Sequence, residues 1–317
     1  MKKKLHIFIF IVASLVLNTN IQAASKHEVD VIKDIFKYTE QSKRSIKLSE
    51  LSQGCPKVDC IPAIDHPKFA SINHLDFLHE EDVLMTIDYN GIQKAYPRKI
   101  MQTHEIVNDY FGKKPLAMTY CPLCGTSVAF VPILEGERVE FGVSGVLHNS
   151  DLVMYDRKTR SLWGQITGRS IVGPKTGHQL KRVSVGLLTW KETKSLFPDI
   201  EVLLPPNNKT ERYKDFHYQK YIESDKIMFP VAIADARLAA KKVVYGIEID
   251  GKFIAYESEY LKKRSPMVES FGKRTLEVSF EKGMVAARDK KTGDKFDVLR
   301  VYWFAWFAFH PDTQLRN

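Results

Sequence analysis

Residues 83–96 read VLMTIDYNGIQKAY, and this stretch decides the fold. Strand-forming residues lie on both sides of Asn90-Gly91, the dipeptide that best favours a type I′ turn because both of its residues tolerate a positive φ. The stretch therefore predicts a β-hairpin.

A second hairpin is predicted 160 residues further along the chain. Residues 243–256 read VVYGIEIDGKFIAY, with Asp250-Gly251 as the turn, and Ile87, Ala95 and Tyr96 recur there at the same offset. Any two hairpins share some features, but matches outside the turn at one fixed offset favour a partial internal duplication. The second copy has no cysteine pair, so we expect the chemistry to lie in the first half.

Further elements around the first hairpin are predicted from periodicity. The segment 99–111 places Ile100, His104, Val107 and Phe111 on one helical face, which predicts a helix. Strands are predicted at 115–120, 126–132, 139–143 and 152–155, and a short helix is predicted where Thr189 and Glu192 have the spacing of a capping box. The predicted fold class is α+β, predominantly β, with hairpins and a few short helices.

The N-terminus has the features of a secretory signal peptide. Three lysines at positions 2–4 precede an apolar run from Leu5 to Leu17, and Ala23 supplies a small residue for cleavage. The run is shorter than the roughly twenty residues that a membrane-spanning helix needs. We therefore expect cleavage near Ala23, a periplasmic or extracellular location and no integral membrane segment after cleavage.

The remaining chain divides into four predicted regions. Residues 24–50 have the pattern of an amphipathic helix, and residues 51–204 form the main domain. Residues 205–226 are polar with a Pro-Pro-Asn-Asn start, which indicates a linker, and residues 227–317 form a second β-rich half that packs on the first.

Charge excludes one class of partner. The formal net charge of +9 falls to +6 when the three signal-peptide lysines are removed. The remaining basic residues form short clusters among acidic ones, without interleaved aromatic side chains, so no nucleic-acid partner is expected.

Cys121-Pro122-Leu123-Cys124-Gly125 is the most informative motif for chemistry. The form Cys-Pro-x-Cys-Gly is typical of metal-binding knuckles, in which a tight turn between two strands directs both sulfurs at one ion. A thioredoxin-type site would instead begin a helix, and residues 126–130 are a poor helix start. A knuckle supplies two ligands, so a tetrahedral site needs two more.

The candidate third ligands are His104, His148 and His310, and His104 ranks first because it shares the apolar face of the predicted helix. Any one of these histidines also fits a core position with a single hydrogen bond. Met154 is a candidate soft ligand for copper(I) or a core residue. Glu105 lies off the apolar face, which favours a surface carboxylate.

Two further groups of residues are candidates for structural or binding roles. Cys55 and Cys60 lie in one loop, where a disulfide is the favoured interpretation and a contribution to the metal site is the alternative. Asp156-Arg157 and Trp163 form a candidate ligand-binding cluster, because Arg presents a fork for carboxylate or phosphate. The alternative is a buried Asp–Arg pair that braces a turn, in which case Arg157→Ala lowers folding stability.

Five motifs in order resemble a family of exported prokaryotic proteins that is known only as a domain of unknown function. The motifs are HEIVND (104–109), TYCPLCGT (119–126), FGVSG (141–145), MYDRKTRSLW (154–163) and WFAWFAFHPDT (303–313). The resemblance extends from about Ile61 to the C-terminus. It implies an exported globular protein and no established activity, so the function has to be argued from the residues.

Three hypotheses remain open. The first is a metal-binding protein that holds zinc or copper through Cys121, Cys124 and His104. The second is a thiol–disulfide oxidoreductase that uses the same two cysteines. The third is a non-catalytic binding module, for an unknown small molecule, in which both cysteine pairs form structural disulfides. The sequence does not decide whether the protein is an enzyme.

Overall fold

The computed structural model describes residues 31–281 and 283–317, so the predicted signal peptide lies outside the described residues. Strands dominate, and the helices are short. The α-helices of the described part, numbered in chain order, are α1 (Arg98–His104), α2 (Trp190–Leu196), α3 (Gln219–Glu223), α4 (Ser258–Arg264) and α5 (Trp303–Phe309). A π-helix covers Val31–Phe36, and 3-10 turns are Leu48–Glu50, Ile72–His74, Pro206–Asn208 and Thr210–Tyr213. The predicted α+β class, predominantly β, is confirmed.

The strands of the described part are also numbered in chain order. They are β1 (Leu51–Gln53), β2 (Phe69–Ser71), β3 (Val83–Tyr89), β4 (Ile92–Pro97), β5 (Ile106–Phe111), β6 (Lys114–Cys121), β7 (Thr126–Val131), β8 (Ile133–Leu134), β9 (Glu137–Arg138), β10 (Phe141–His148), β11 (Asp151–Asp156), β12 (Leu162–Gly164), β13 (Ser170–Val172), β14 (Lys181–Val183), β15 (Gly186–Thr189), β16 (Glu201–Leu203), β17 (Val243–Ile249), β18 (Lys252–Glu257), β19 (Met267–Phe271), β20 (Arg274–Glu281), β21 (Met284–Asp289), β22 (Lys295–Phe296), β23 (Val298–Tyr302) and β24 (Gln314–Arg316). Over these two ranges, every helix is too short or too polar to cross a membrane.

Both predicted hairpins are present. β3 and β4 pair antiparallel around Asn90 and Gly91, which have φ of 55° and 77°. β17 and β18 pair in the same way around Asp250 and Gly251, with φ of 50° and 74°. Both turns have the paired positive φ of type I′.

The internal duplication extends well beyond the hairpin. α1 and α4 are related by the same offset of 160 residues, and so are β6 and β20. The first repeat has sheets of order β15-β3-β4-β16-β2 and β14-β7-β6-β5, and the second has β23-β17-β18-β24 and β19-β20-β21-β22. In each repeat the fourth strand pairs in parallel with the second strand of the hairpin, β16 with β4 and β24 with β18. The chain therefore contains two copies of one two-sheet unit.

The first repeat contains an insert that the second lacks. Residues 132–180 separate β7 from β14, whereas only residues 290–294 separate β21 from β22. This insert carries the β8–β9 hairpin and strands β10 to β13, which form a five-stranded sheet with β1. The insert is thus a separate layer added to the duplicated unit.

The helix predicted at 99–111 is wrong in its second half. α1 ends at His104, and Ile106 to Phe111 form β5, which pairs antiparallel with β6. Glu105 separates the two elements with a φ of 59°. A short apolar run fits both periods, and here strand pairing through β-branched Ile106 and Val107 prevails over the helical spacing.

The described part of the predicted N-terminal helix, residues 31–50, is helical only at its two ends. A π-helix covers Val31–Phe36, irregular chain follows, and a helical turn covers Leu48–Glu50. Ile32 and Phe36 pack into a buried cluster with Tyr155 and other residues of the insert. The segment therefore covers one face of the insert.

The largest buried cluster joins all three parts of the molecule. It contains Cys121 and Cys124 of the first repeat, Trp163 of the insert, and Val301 and Trp303 of the second repeat. The two repeats also have cores of their own. The cysteine motif therefore lies at the junction of the three parts.

Candidate metal centre

The cysteine motif forms a turn between two antiparallel strands, as predicted for a knuckle. β6 ends at Cys121, β7 begins at Thr126, and these two residues are paired. Gly125 has a φ of 60°, and a Cβ at this position would lie 2.4 Å from the Tyr302 ring. Glycine is required here both by the backbone conformation and by the close approach of the second repeat.

A second turn, in the insert, supplies the third candidate ligand. His148 pairs with Asp151 across the β10–β11 hairpin, whose two turn residues Asn149 and Ser150 have φ of 51° and 65°. A ligand atom from each of Cys121, Cys124 and Asp151 lies within 4.8 Å of the others, and all three side chains are buried. The two hairpin turns therefore meet in one buried group.

The thiols are oriented by the turn of the insert. The carbonyl oxygen of Ser150 accepts a hydrogen bond from Cys124 Sγ at 3.3 Å, and Cys121 Sγ lies 3.9 Å from the same oxygen. Neither cysteine is in a disulfide. Both sulfurs therefore remain available as ligands.

The Asp151 carboxylate is only half satisfied. One oxygen accepts a hydrogen bond from the Ile166 amide at 2.9 Å, whereas Oδ1 is buried and has no hydrogen-bond partner among the described residues. Burial raises the pKa of Asp151 to about 8. Burial, with contributions from Cys121 and Asp151, holds the pKa of the Cys124 thiol well above its usual range. The pocket disfavours negative charge unless a cation is present.

Glu105 is a second buried carboxylate beside this group, although the sequence pattern predicted a surface position. The backbone carbonyl oxygen of Glu105 accepts a hydrogen bond from the Tyr120 amide at 2.8 Å, so Glu105 lies next to the strand that ends at Cys121. Burial, and then the charge of Asp151, raises the pKa of Glu105 to about 8. Its φ of 59° is rare for a residue other than glycine, and such strain is concentrated at functional sites.

Residues 205–226 and the second repeat cover the centre. Tyr221 donates a hydrogen bond to the Leu123 carbonyl at 3.1 Å, and the Tyr302 amide donates to the Cys124 carbonyl at 2.9 Å. Burial, and then the negative charges of Glu105 and Cys121, raises the pKa of Tyr218 to about 12. The segment predicted as a linker thus lies over the site.

His104 has other partners. Its Nδ1 lies 2.7 Å from the Pro62 carbonyl, and its Nε2 lies 2.7 Å from the Tyr213 hydroxyl. Burial lowers its pKa, so the neutral ring donates to Pro62 and accepts from Tyr213. The group of ligand atoms in the described part of the chain contains Asp151 and not His104.

The other two histidines lie outside this group as well. His148 Nε2 is 3.6 Å from the Glu50 carboxylate, and its ring packs edge-on against Phe309. His310 stacks on Phe253 with ring centroids 4.1 Å apart. Met154 is fully buried in the large core cluster, as its alternative core role predicts.

Asp156 and Arg157 do not pair with each other. Asp156 is buried and accepts hydrogen bonds from the Thr159 amide and hydroxyl and from Trp163 Nε1, so it braces the turn before Trp163. Arg157 instead contacts Asp65 at 2.7 Å. Because the Arg157 pair is half-exposed, we expect Arg157→Ala to cost only about 0–1 kcal/mol.

The predicted disulfide between Cys55 and Cys60 is present. The two cysteine pairs therefore differ, since Cys121 and Cys124 are free. This difference removes the second disulfide from the third hypothesis and leaves its binding role open.

Comparisons with known proteins place the chain in a family without assigning an activity. Neither curated proteins nor solved structures include a match to it. A family model described as a protein of unknown function, DUF3179, matches residues 58–313, which include the knuckle, the insert and the second repeat up to β24. This match confirms the resemblance seen in the sequence motifs. The chain belongs to the DUF3179 family.

Proposed function

We propose that the protein binds one zinc ion through Cys121, Cys124 and Asp151. The observation that carries the proposal is the unpartnered Asp151 Oδ1, which is buried beside two free thiols with ligand atoms within 4.8 Å. Burying a carboxylate without a partner costs free energy, and a cation removes that cost.

The donor set favours zinc over copper(I). Zinc accepts cysteine sulfur together with carboxylate oxygen in tetrahedral sites. Copper(I) prefers soft sulfur ligands, whereas the third donor beside the two thiols is a carboxylate oxygen of Asp151. An oxygen donor in place of the predicted histidine therefore supports zinc.

Glu105 lies outside the group of three ligand atoms, as His104 does. It is buried beside Tyr120, and the Asp151 charge acts on it. Among the described residues no fourth protein donor joins the group, which leaves the fourth position of a tetrahedral site to a water molecule. A water molecule in the fourth position, with Glu105 as its proton acceptor, would favour catalysis.

An exported location suits this site. The Cys55–Cys60 disulfide is typical of an oxidising compartment, and the N-terminal sequence has the features of a signal peptide. We propose that the mature protein begins at Ala24 in the periplasm or outside the cell. N-terminal sequencing of the exported protein tests this, and an intact Met1 would contradict it.

Metal analysis of protein purified from its own export compartment tests the zinc site. We expect one zinc per chain and two free thiols after denaturation, and we expect Cys121→Ser or Asp151→Asn to weaken zinc binding at least tenfold. The control is the double variant Cys55→Ser/Cys60→Ser, which removes two cysteines outside the site and should keep the zinc. Wild-type protein without zinc would contradict the proposal.

The same measurement of zinc and free thiols distinguishes zinc binding from the oxidoreductase hypothesis. A redox-active cysteine is accessible and has a lowered pKa, whereas Cys124 is buried and has a raised one. The motif also lies in a strand turn rather than at a helix N-terminus. A reversible thiol–disulfide couple in protein that carries no metal would favour this hypothesis over zinc binding.

A further inference from the structure

A cleft near Ile166, whose amide donates to Asp151 and whose carbonyl accepts from Arg182, has features of a second binding site. Two adjoining cavities, of about 420 and 220 Å³, share Thr167 and Arg169 of the insert, Arg182 of β14, and Glu248 and Asp297 of the second repeat. The cleft is thus lined by all three parts of the molecule.

The charged residues of the cleft come from different parts of the molecule. Arg169 belongs to the insert, Lys181 and Arg182 belong to β14, and Glu248 and Asp297 belong to the second repeat. Arg169, Arg182, Glu248 and Asp297 line both cavities. Within the described chain, none of these four side chains forms an ion pair with another at 4.0 Å or less. Asp297 and Glu248 nevertheless act on the pKa of Arg182. The two pairs of opposite charge are near one another, with space between them.

Arg182 is the least exposed member of this set, since it is half-buried whereas Arg169, Glu248 and Asp297 are exposed. One of its terminal nitrogens donates to the Ile166 carbonyl, while Nε is buried and has no hydrogen-bond partner among residues 31–281 and 283–317. Leaving a guanidinium N–H unpaired away from water costs free energy. A ligand with an acceptor oxygen would satisfy it.

An aromatic wall completes the cleft. The His310 ring lies between Phe253 and Trp306, with centroid distances of 4.1 and 4.2 Å. His310 Nδ1 is buried and unpartnered within the described part of the chain. Burial and the nearby arginines keep this ring neutral at pH 7. Phe253, Trp306, Phe309 and His310 line the smaller cavity and so place apolar surface beside the charged groups.

We propose that this cleft binds a free α-amino acid with an apolar or aromatic side chain. Its carboxylate would pair with Arg182 and Arg169, its ammonium with Glu248 and Asp297, and its side chain would pack on the aromatic wall. A simple anion would be repelled by Glu248 and Asp297, and a simple cation would be repelled by Arg169 and Arg182. A zwitterion complements both sets of charges.

Melting-temperature shifts and calorimetry on the full mature protein test this proposal. The probes are the standard L-amino acids at millimolar concentration, followed by the deaminated and decarboxylated analogues of the one that stabilises most. We expect at least one apolar or aromatic amino acid to bind saturably and to raise the melting temperature. Each analogue that lacks one charge should bind at least tenfold more weakly.

Variants locate the site. Glu248→Gln and Arg169→Gln are expected to weaken binding of the best amino acid at least tenfold, with unchanged melting temperature of the free protein. The matched control Glu277→Gln lies on β20 outside the cleft and should bind as wild type. The proposal is overturned if no amino acid binds, if the deaminated analogue binds as tightly as its parent, or if Glu248→Gln leaves affinity unchanged.

Discussion

At the scale of single residues, the centre depends on acids that are buried without a cation partner among the described residues. Asp151 and Glu105 both have pKa values raised to about 8 by burial. Such groups are protonated in the folded, metal-free protein and ionised in the unfolded chain at neutral pH. Folding without metal is therefore linked to proton uptake.

The first prediction concerns this linkage. The folded pKa values of Asp151 and Glu105 exceed the ordinary values of 3.8 and 4.5. The contribution of these two protonated groups to the stability of the metal-free fold is therefore complete below about pH 4 and is lost as pH rises towards about 8. We expect the urea midpoint of chelator-treated protein to fall over this range, and Asp151→Asn to flatten the decline. Each unit of pKa separation corresponds to about 1.4 kcal/mol.

Zinc should reverse the trend, since binding requires deprotonated ligands. Asp250→Asn serves as the control, because Arg274 lowers the pKa of that exposed acid and the variant should keep the alkaline decline of the wild type. A decline of equal slope in Asp151→Asn would show that Asp151 is not the titrating group.

Asp151 could not be predicted as a ligand from the sequence. The spacing of the two cysteines indicates a ligand pair, whereas Asp151 is a single carboxylate in a different hairpin. Tertiary packing alone brings it to the thiols. The local signal was Asn149-Ser150, a polar pair that tolerates positive φ and so marks a turn just before Asp151. Such a turn locates a hairpin and does not say what it faces.

At the scale of elements, local turn chemistry was the reliable guide. Asn90-Gly91 and Asp250-Gly251 predicted both hairpins because few dipeptides tolerate two positive φ angles in succession. The capping box at Thr189 and Glu192 is present at the start of α2. The segment 99–111 failed because its apolar spacing fits a strand as well, and the deciding contact, pairing with β6, is not local.

The second prediction compares two turn glycines. Gly125 and Gly272 have nearly equal φ of 60° and 58°, but a Cβ on Gly125 meets the Tyr302 ring while one on Gly272 meets nothing within 4 Å. We expect Gly272→Ala to cost about 1–2 kcal/mol from backbone strain. Gly125→Ala should cost about 1–3 kcal/mol more through overpacking.

Urea unfolding measures both costs, and zinc content measures the effect on the knuckle. Gly125→Ala should also lower zinc affinity, because the displaced turn carries both thiols. An equal loss of unfolding free energy in the two variants would show that the Tyr302 ring moves aside without a cost in stability. The second repeat would then not constrain the turn.

At the scale of the whole molecule, duplication and insertion together explain where the centre lies. The second repeat carries Glu281 at the position of Cys121 and has no cysteine. The first repeat alone acquired the knuckle and the insert that brings Asp151 to it. The sequence indicated the repeat only through its hairpin, since strand pairing and sheet order leave little trace in residue identity once surface positions have diverged.

The third prediction tests whether the second repeat closes the centre. Val301 and Val278 are both fully buried valines of the second repeat, but Val301 belongs to the cluster that contains the cysteines and Val278 belongs to that repeat's own core. Truncation to alanine leaves a cavity at either position, and we expect each variant to lose about 1–3 kcal/mol of stability. Only Val301→Ala loosens the junction.

Maleimide labelling of metal-free protein under native conditions distinguishes the two variants. Cys121 and Cys124 are 1% and 0% exposed, so labelling requires an opening of the structure. If separation of the second repeat from the first is that opening, Val301→Ala should accelerate labelling several-fold more than Val278→Ala at matched stability. Equal acceleration would mean that the thiols are reached only through global unfolding. The two repeats would then open as one cooperative unit, and the junction would not act as the entry path for the metal.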